Sequence, residues 1–388
     1  MRIGIDASMF YNQYKTGIPT AVEAVIRQFN QRYPENEYFL FSRRSIELDI
    51  EMKPNWHIIL SPWKYASKGK FNPVSKLAGA LYHWVFFPYQ RRKYKLDIFW
   101  GPCYYLPVKT GKGKYVVSIY DLAMYRFKDI NGLFKRIKHK VIIPLSCRRA
   151  DKIITISRAS AEDIHELLNV RKSKIAISYL GGLSRKSSGK LEFNSSMKPE
   201  LNIKGRFILF ISTIEPRKNI ITLIKAFEEY LDRYHDSDLY LVLAGGRGWK
   251  CDDIYRTAET SRYRDRIIMP GFISDEEKQY LLSSAAVFAY PSLYEGFGIP
   301  VLEAFEKQLP VVTTRVSSLP EVGGDAAFYI DDPHDASALA AQLRRALTLT
   351  ESERADLNKR TERRLKKFSW EKNADEIMRV FKKLTAGK

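Results

Sequence analysis

The sequence predicts an α/β protein of two domains, each a parallel sheet with crossover helices. Three observations carry that expectation. Short β-branched or aromatic runs alternate with longer amphipathic segments along the whole chain. The alternation is interrupted once, by the polar stretch 184–204 (SRKSSGKLEFNSSMKPELNIK). At 388 residues the chain is also long for a single α/β core.

In chain order, the runs expected as strands in the first half are Arg2–Asp6, Tyr38–Ser42, Trp56–Leu60, Asp97–Trp100, Tyr115–Tyr120, Lys152–Ser157 and Lys174–Tyr179. After the polar stretch come Arg206–Ser212, Asp238–Leu243, Arg266–Met269, Ala286–Tyr290, Pro310–Thr314 and Ala326–Ile330. Strands separated by 10–20 helical residues imply parallel pairing, with ligands at the carboxyl ends of the strands. The last segment, Phe368–Lys388, reads as an amphipathic helix with Trp370, Ala374, Ile377, Val380, Phe381 and Leu384 on one side. The expected boundaries are therefore 1–190, 191–367 and a closing helix over 368–388.

Composition narrows the function. Cys103, Cys147 and Cys251 lie far apart without metal-ligand spacing and read as ordinary thiols in a reducing compartment. The opening MRIGIDASMFYN lacks the apolar stretch of a signal peptide, and no run reaches the ~18 apolar residues of a membrane span. A cytoplasmic protein is expected. Its charge is unevenly placed: residues 61–160 hold 21 Lys and Arg against 4 Asp and Glu, a balance of +17, and the other 288 residues carry +3. Within that region WKYASKGKF (63–71), LYHWVFFPYQRRKYK (81–95) and LFKRIKHK (133–140) interleave rings with cations. That pattern suits an anionic membrane surface on the inner face of the cell membrane, the alternative being a packed core under a solvated basic face. His83 and His139 read as packing or surface residues. A nucleic-acid-binding protein is the reading from another class. It lacks a recognition helix, an aromatic RNA-binding motif or a zinc finger, so no nucleic acid is expected.

The densest chemical signal is Tyr294–Glu306, YEGFGIPVLEAFE. Pro300 should hold Ile299 extended and open a helix over Val301–Lys307. Gly296 and Gly298 allow a ligand close to the backbone, and a helix N-terminus suits a phosphate. Glu295 and Glu303 would be repelled by a diphosphate but can accept hydrogen bonds from sugar hydroxyls. On spacing alone the same residues read as one strand–helix turn with two surface glutamates, and both readings stay open. A second signal is Ser212–Asn219, STIEPRKN, where Arg217 and Lys218 stand before the helix Ile220–Tyr230. Arg can grip a diphosphate bidentately and Lys acts as a point charge, although any helix can begin with solvated basic residues.

Taken in order, these motifs resemble the large family 4 of retaining glycosyltransferases, in its bacterial polysaccharide mannosyl- and rhamnosyltransferase branch. The resemblance is best over Phe207–Leu347. It rests on EPRKN, LAGG, the pair Glu295 and Glu303, and LPEVGGDAAFYI at Leu319–Ile330. The amino half is similar through TGIPTAVEAV (Thr16–Val25), VVSIYDLA (Val116–Ala123) and ADKIITIS (Ala150–Ser157), and the end through FSWEKNA (Phe368–Ala374). The resemblance implies the GT-B fold: two Rossmann-like domains facing across a cleft, with the closing helix returning to the first.

It also implies roles. Glu295 would sit at the donor sugar and Glu303 at the nucleotide ribose. Arg217 and Lys218 would bind the diphosphate, and the amides of Gly296, Phe297 and Gly298, ahead of Ile299, would meet sugar and phosphate. Gly17 would let its loop approach donor and acceptor. Gly271, Phe272 and Ile273 would cradle the base. Many relatives carry His where this chain has Tyr120, so that donor contact is altered, while Asp121 acts on the acceptor or caps a loop. The implied reaction moves a sugar, mannose from GDP-mannose by preference, onto a glycan or lipid-linked saccharide. It needs no cofactor and no metal, because cations and helix amides meet the charge on the leaving diphosphate. No carboxylate of the amino half stands out as a nucleophile, so front-face attack is expected. Another GT-B enzyme, such as a UDP-sugar epimerase, is the nearer alternative.

Overall fold

The computed structural model describes residues 1–10, 17–62, 81–110, 113–127, 133–182 and 192–386, with the side chains of 83, 84, 133–136 and 138 left aside. Two compact units emerge, Met1–Leu180 with Trp370–Lys388, and Gly181–Ser369. Only Glu192–Lys204 of the expected linker lies among the described residues, and it includes a 3-10 turn at Pro199–Leu201.

The first unit is built on a seven-stranded sheet. Its strands are β1 (Arg2–Asp6), β2 (Glu37–Ser42), β3 (Trp56–Leu60), β4 (Ile98–Gly101), β5 (Lys114–Ser118), β6 (Lys152–Thr155) and β7 (Ile175–Ile177). They run in the order β3-β2-β1-β4-β5-β6-β7, and the pairings are parallel. Ile3, Ile5, Phe99, Trp100 and Val116 are buried, as both faces of a helix-covered parallel sheet require. Much of the aromatic content is core: Tyr38, Phe39, Phe41, Phe87 and Tyr115 are also fully enclosed, at about 150–250 Å² of burial for each such ring.

The closing helix, Trp370–Thr385, belongs to this unit, as expected. Its buried side, with Trp370, Ala374, Ile377, Val380 and Phe381, is the predicted one. Phe381 packs against Phe29 of the helix Ile18–Arg32 and against Trp100, with ring centroids 6.2 and 6.1 Å apart. Asn373 donates to the carbonyls of Ser178 and Tyr179 at 3.1 and 2.9 Å, and Arg32 grips Asp375 through both carboxylate oxygens.

The second unit repeats the plan with six strands: β8 (Arg206–Ile211), β9 (Leu239–Ala244), β10 (Ile267–Gly271), β11 (Val287–Tyr290), β12 (Val311–Thr314) and β13 (Ala327–Ile330). The order is β10-β9-β8-β11-β12-β13, again with parallel pairings. From β8 the chain first winds outward through β9 and β10, then returns to the other side of β8 for β11. The sheet therefore changes winding direction between β8 and β11, where open α/β sheets bind ligands. All three cysteines are free, and burial pushes the Cys103 and Cys147 thiols up to about 12, which leaves them inert near neutral pH.

Candidate functional site

The two strongest sequence motifs meet at that change of direction. Strand β8 leads into the 3-10 turn Pro216–Lys218, and β11 leads into the loop 291–298. Because β8 and β11 pair directly, through Ile208 with Val287 and Leu209 with Phe288, the loops leave the sheet side by side. They are tied together where the Leu293 amide donates to the Arg217 carbonyl at 2.9 Å. Asn219 starts the helix Ile220–Tyr234 and donates to the Pro291 and Pro333 carbonyls, fixing the turn against its neighbours.

This placement corrects one part of the reading from spacing, that the two glutamates lie on the surface. Glu295 and Glu303 are 8% and 7% exposed and Lys218 is 4% exposed, so none is a solvated surface charge. The Lys218 ammonium donates to Glu295 Oε1 at 2.6 Å and to the Tyr290 hydroxyl at 2.7 Å. Arg217 donates to Glu295 Oε2 at 3.2 Å, to the Tyr294 carbonyl at 2.9 Å and to Glu215 Oε1 at 2.9 Å. Two cations and two carboxylates thus form one balanced cluster.

Burial alone would push the Glu295 carboxyl up. Lys218 first and Arg217 next outweigh that and hold it at about 2. Burial likewise works to lower the Lys218 ammonium, but Glu295 raises it above its ordinary value. At neutral pH the pair is therefore a fixed carboxylate and a fixed cation. Such a carboxylate takes no part in proton transfer; what it offers is hydrogen-bond acceptance and charge.

The backbone around Glu295 is clamped from β12's loop. The Glu295 amide donates to Ser317 Oγ at 2.8 Å, and Ser318 Oγ donates to the Glu295 and Phe297 carbonyls at 2.9 and 2.8 Å. The Phe297 ring is buried edge-on against Phe368. Gly298 caps the following helix at φ 112°, and a Cβ there would meet Leu319 at 3.1 Å. The helix spans Ile299–Glu306, which corrects the expectation that Pro300 holds Ile299 extended. Proline at the second helical position still gives up only an N–H that has no intrahelical acceptor, so the helix can open one residue earlier.

Glu303, one turn into that helix, pairs with Lys278 of the helix Asp275–Ser284. Phe272 and Ile273 follow the carboxyl end of β10, and Phe272 is 64% exposed. Gly271 has φ 72° with nothing crowding it. Gly296 is buried between Glu295 and Phe297.

Three of the expected site residues belong to the first unit. Gly17 precedes the helix Ile18–Arg32 at φ 59°, a backbone that strains any residue with a Cβ. Tyr120 follows β5; burial raises its phenol above the ordinary range, and its carbonyl accepts from Ser160 Oγ at 2.9 Å. Asp121 Oδ1 accepts from the Ala123 amide at 3.0 Å, a local turn contact just ahead of the short helix Ala123–Arg126, whose N-cap is Leu122.

Tyr290, Glu215, Lys278, Ser317 and Ser318 were not singled out by sequence. Tyr290 ends a strand whose apolar pattern explains it as core, and Lys278 sits in an ordinary polar helix. Only the folded chain brings Tyr290 to Lys218 and Lys278 to Glu303. A separate cavity of about 220 Å³ beside the edge strand β13, lined by Arg315, Tyr329, Arg345 and Arg360 among others, includes none of these residues.

Residues 193–364 match the family described as Glycosyl transferases group 1. The chain is 34% identical over 304 residues to the O-antigen chain mannosyltransferase B of Escherichia coli, covering 76% of each chain. Among solved structures it is similar to a sucrose-phosphate synthase from Thermosynechococcus elongatus, with TM-score 0.73, 18% identity and full coverage of both chains. It is similar as well to WaaG, a glycosyltransferase involved in lipopolysaccharide biosynthesis, with TM-score 0.67, 15% identity and full coverage of both. At such identities the structural likenesses speak for the fold alone, and that fold is the GT-B pair of Rossmann-like halves.

Proposed function

The chain belongs to the glycosyl transferases of group 1, and from that membership we propose that it transfers mannose from GDP-mannose to a glycan or lipid-linked saccharide in bacterial surface polysaccharide synthesis. The supporting observation is the buried cluster of Arg217, Lys218 and Glu295 where the second sheet reverses its winding. Negative charge grows on the diphosphate as the bond from the anomeric carbon to its oxygen breaks. Fixed cations in a dry site meet that charge without reorganising. In this reading Arg217 and Lys218 face the diphosphate and Glu295, permanently ionised, accepts from the sugar hydroxyls. Glu303 exchanges Lys278 for the ribose diol, and Phe272 and Ile273 lie against the base. Gly17 lets its loop approach donor and acceptor, Tyr120 stands at the altered donor contact, and Asp121 acts on the acceptor. Retention through front-face attack and independence from divalent metal complete the proposal. A lipid-linked acceptor puts the enzyme on the inner face of the membrane.

The test is a titration with GDP, UDP, dTDP and ADP in EDTA, beside Glu303→Ala. Losing a charge-assisted ribose contact should cost about 1.5–3 kcal/mol, or roughly 10- to 150-fold in affinity. The proposal expects GDP to bind without metal and the variant to bind it correspondingly worse. Tight binding of another nucleotide instead would move the donor. No binding at all, or an unaffected variant, would remove the site assignment.

A further inference from the structure

The helix Leu133–Arg149 of the first unit has two faces of different chemistry. Its inner face holds it to the core. The His139 ring meets the Tyr105 hydroxyl at 2.9 Å, Ile143 and Cys147 are buried, and Ser146 Oγ accepts from the Leu106 amide at 3.1 Å. On the outer face Ile137, Val141 and Leu145 follow one another at i, i+4 and i+8, and they are 52%, 53% and 37% exposed. Three aliphatic side chains aligned this way form a stripe on one side of a helix, not the scattered single residues of an ordinary surface. Lys140 and Arg148 are exposed beside them, and the helix sequence holds six Lys and Arg with no Asp or Glu.

A second element adds to the pattern. In the turn Tyr82–Phe86 and the helix Phe87–Lys93, the rings of Tyr82, Phe86 and Phe87 are buried, so much of this aromatic segment is core. Val85 and Tyr89, four residues apart, are 51% and 62% exposed, and exposed Arg92 and Lys93 follow them. The steps from β3 to β4 and from β5 to β6 advance in the same direction across the sheet. Right-handed crossovers therefore put both helices on the same side, opposite the helix Ile18–Arg32, whose step from β1 to β2 goes the other way. The segment 63–80, which the sequence also marks as basic and aromatic, lies outside the described residues.

We propose that this face docks on an anionic lipid bilayer, with Ile137, Val141, Leu145, Val85 and Tyr89 entering the headgroup boundary and the surrounding cations on lipid phosphates. Apolar residues ringed by cations with no acid among them match the chemistry of an anionic membrane surface. A second copy of the chain is disfavoured as the occupant, since it would set like charges against each other. Docking lies on the surface: among the described residues no helix is long and apolar enough to cross a membrane. The inference rests on the reading of a membrane-facing enzyme and names the surface that serves it. Its test uses no nucleotide, so its failure would leave the donor assignment standing.

The experiment is flotation of the full chain with vesicles of phosphatidylglycerol in phosphatidylethanolamine, with pure phosphatidylcholine vesicles as the neutral control. The expected result is binding to the anionic vesicles that weakens with added salt. Combining Ile137→Ser, Val141→Ser and Leu145→Ser should lower partitioning about tenfold or more. Lys140→Glu with Arg148→Glu should abolish the preference for anionic lipid. The far-UV circular dichroism and the urea midpoint of the first unit should match the unmodified chain in both variants, which reports an intact fold. Absence of vesicle binding by the unmodified chain would overturn the proposal, and so would undiminished binding by both variants. A dimer that the serine variant dissociates while vesicle binding persists would also overturn it.

Discussion

Replacing Glu295 by Gln would keep the shape of the side chain and remove the negative charge that Lys218 and Arg217 both lean on. The folded carboxyl titrates at about 2, below its ordinary 4.5, so its contribution is fully present above about pH 4.5 and is lost as pH falls toward 2. Glu295→Gln should lower stability at neutral pH by about 3–5 kcal/mol, because it leaves a buried ammonium short of its counter-charge. It should also flatten the loss of stability between pH 4.5 and 2. Urea midpoints for the second unit across that range would show both, and an unchanged slope would contradict the cluster. At this scale the sequence exposed the charged members and hid their supports. Arg217, Lys218, Glu295 and Glu303 stand in short motifs at the ends of strands. Tyr290 and Lys278 carry no local mark, because their role is created by contacts across 72 and 25 residues of chain.

The turn from β11 into the helix Ile299–Glu306 depends on one backbone conformation. Gly298 at φ 112° lies where side chains are strained, and a Cβ would also press on Leu319. Gly298→Ala should cost about 1–3 kcal/mol and weaken nucleotide binding, since Glu295 and Glu303 flank the turn it distorts. Denaturation midpoint and titration together check this; a variant with wild-type values in both would show that the turn tolerates the change. Elements themselves were readable, because β-branched runs between amphipathic stretches have few other solutions. Their ends were less so. The run Tyr115–Tyr120 reads as strand to its last residue, yet the ladder stops at Ser118 while Ile119 and Tyr120 remain buried. Burial outlasts pairing there, and residue pattern reports only burial. The helix start at Ile299 slipped for a related reason: a proline forbids less at a helix's first turn than in its interior.

Across the whole molecule, the first unit is assembled from two stretches of chain far apart in sequence. Phe381, fully buried on Phe29 and Trp100, is the apolar centre of that closure. Phe381→Ala should destabilise the first unit by about 3–5 kcal/mol while the second unit, which has no part in this contact, unfolds as before. Separate probes of the two units in urea would distinguish that outcome from a common shift of both. The amphipathic pattern of 368–388 was plain in the sequence, and its partner came from family likeness, since an apolar helix face does not say what it covers.

That discontinuity has a consequence for the order of manufacture. The ribosome delivers the seven strands of the first sheet by Ile177, but the helix that seals Phe29 and Trp100 begins at Trp370. At about 5–20 residues per second the gap amounts to roughly 10–40 s, during which the whole of the continuous second unit is delivered. The part made first is the part finished last, and in the interval its unsealed aromatic surface is what a chaperone would meet.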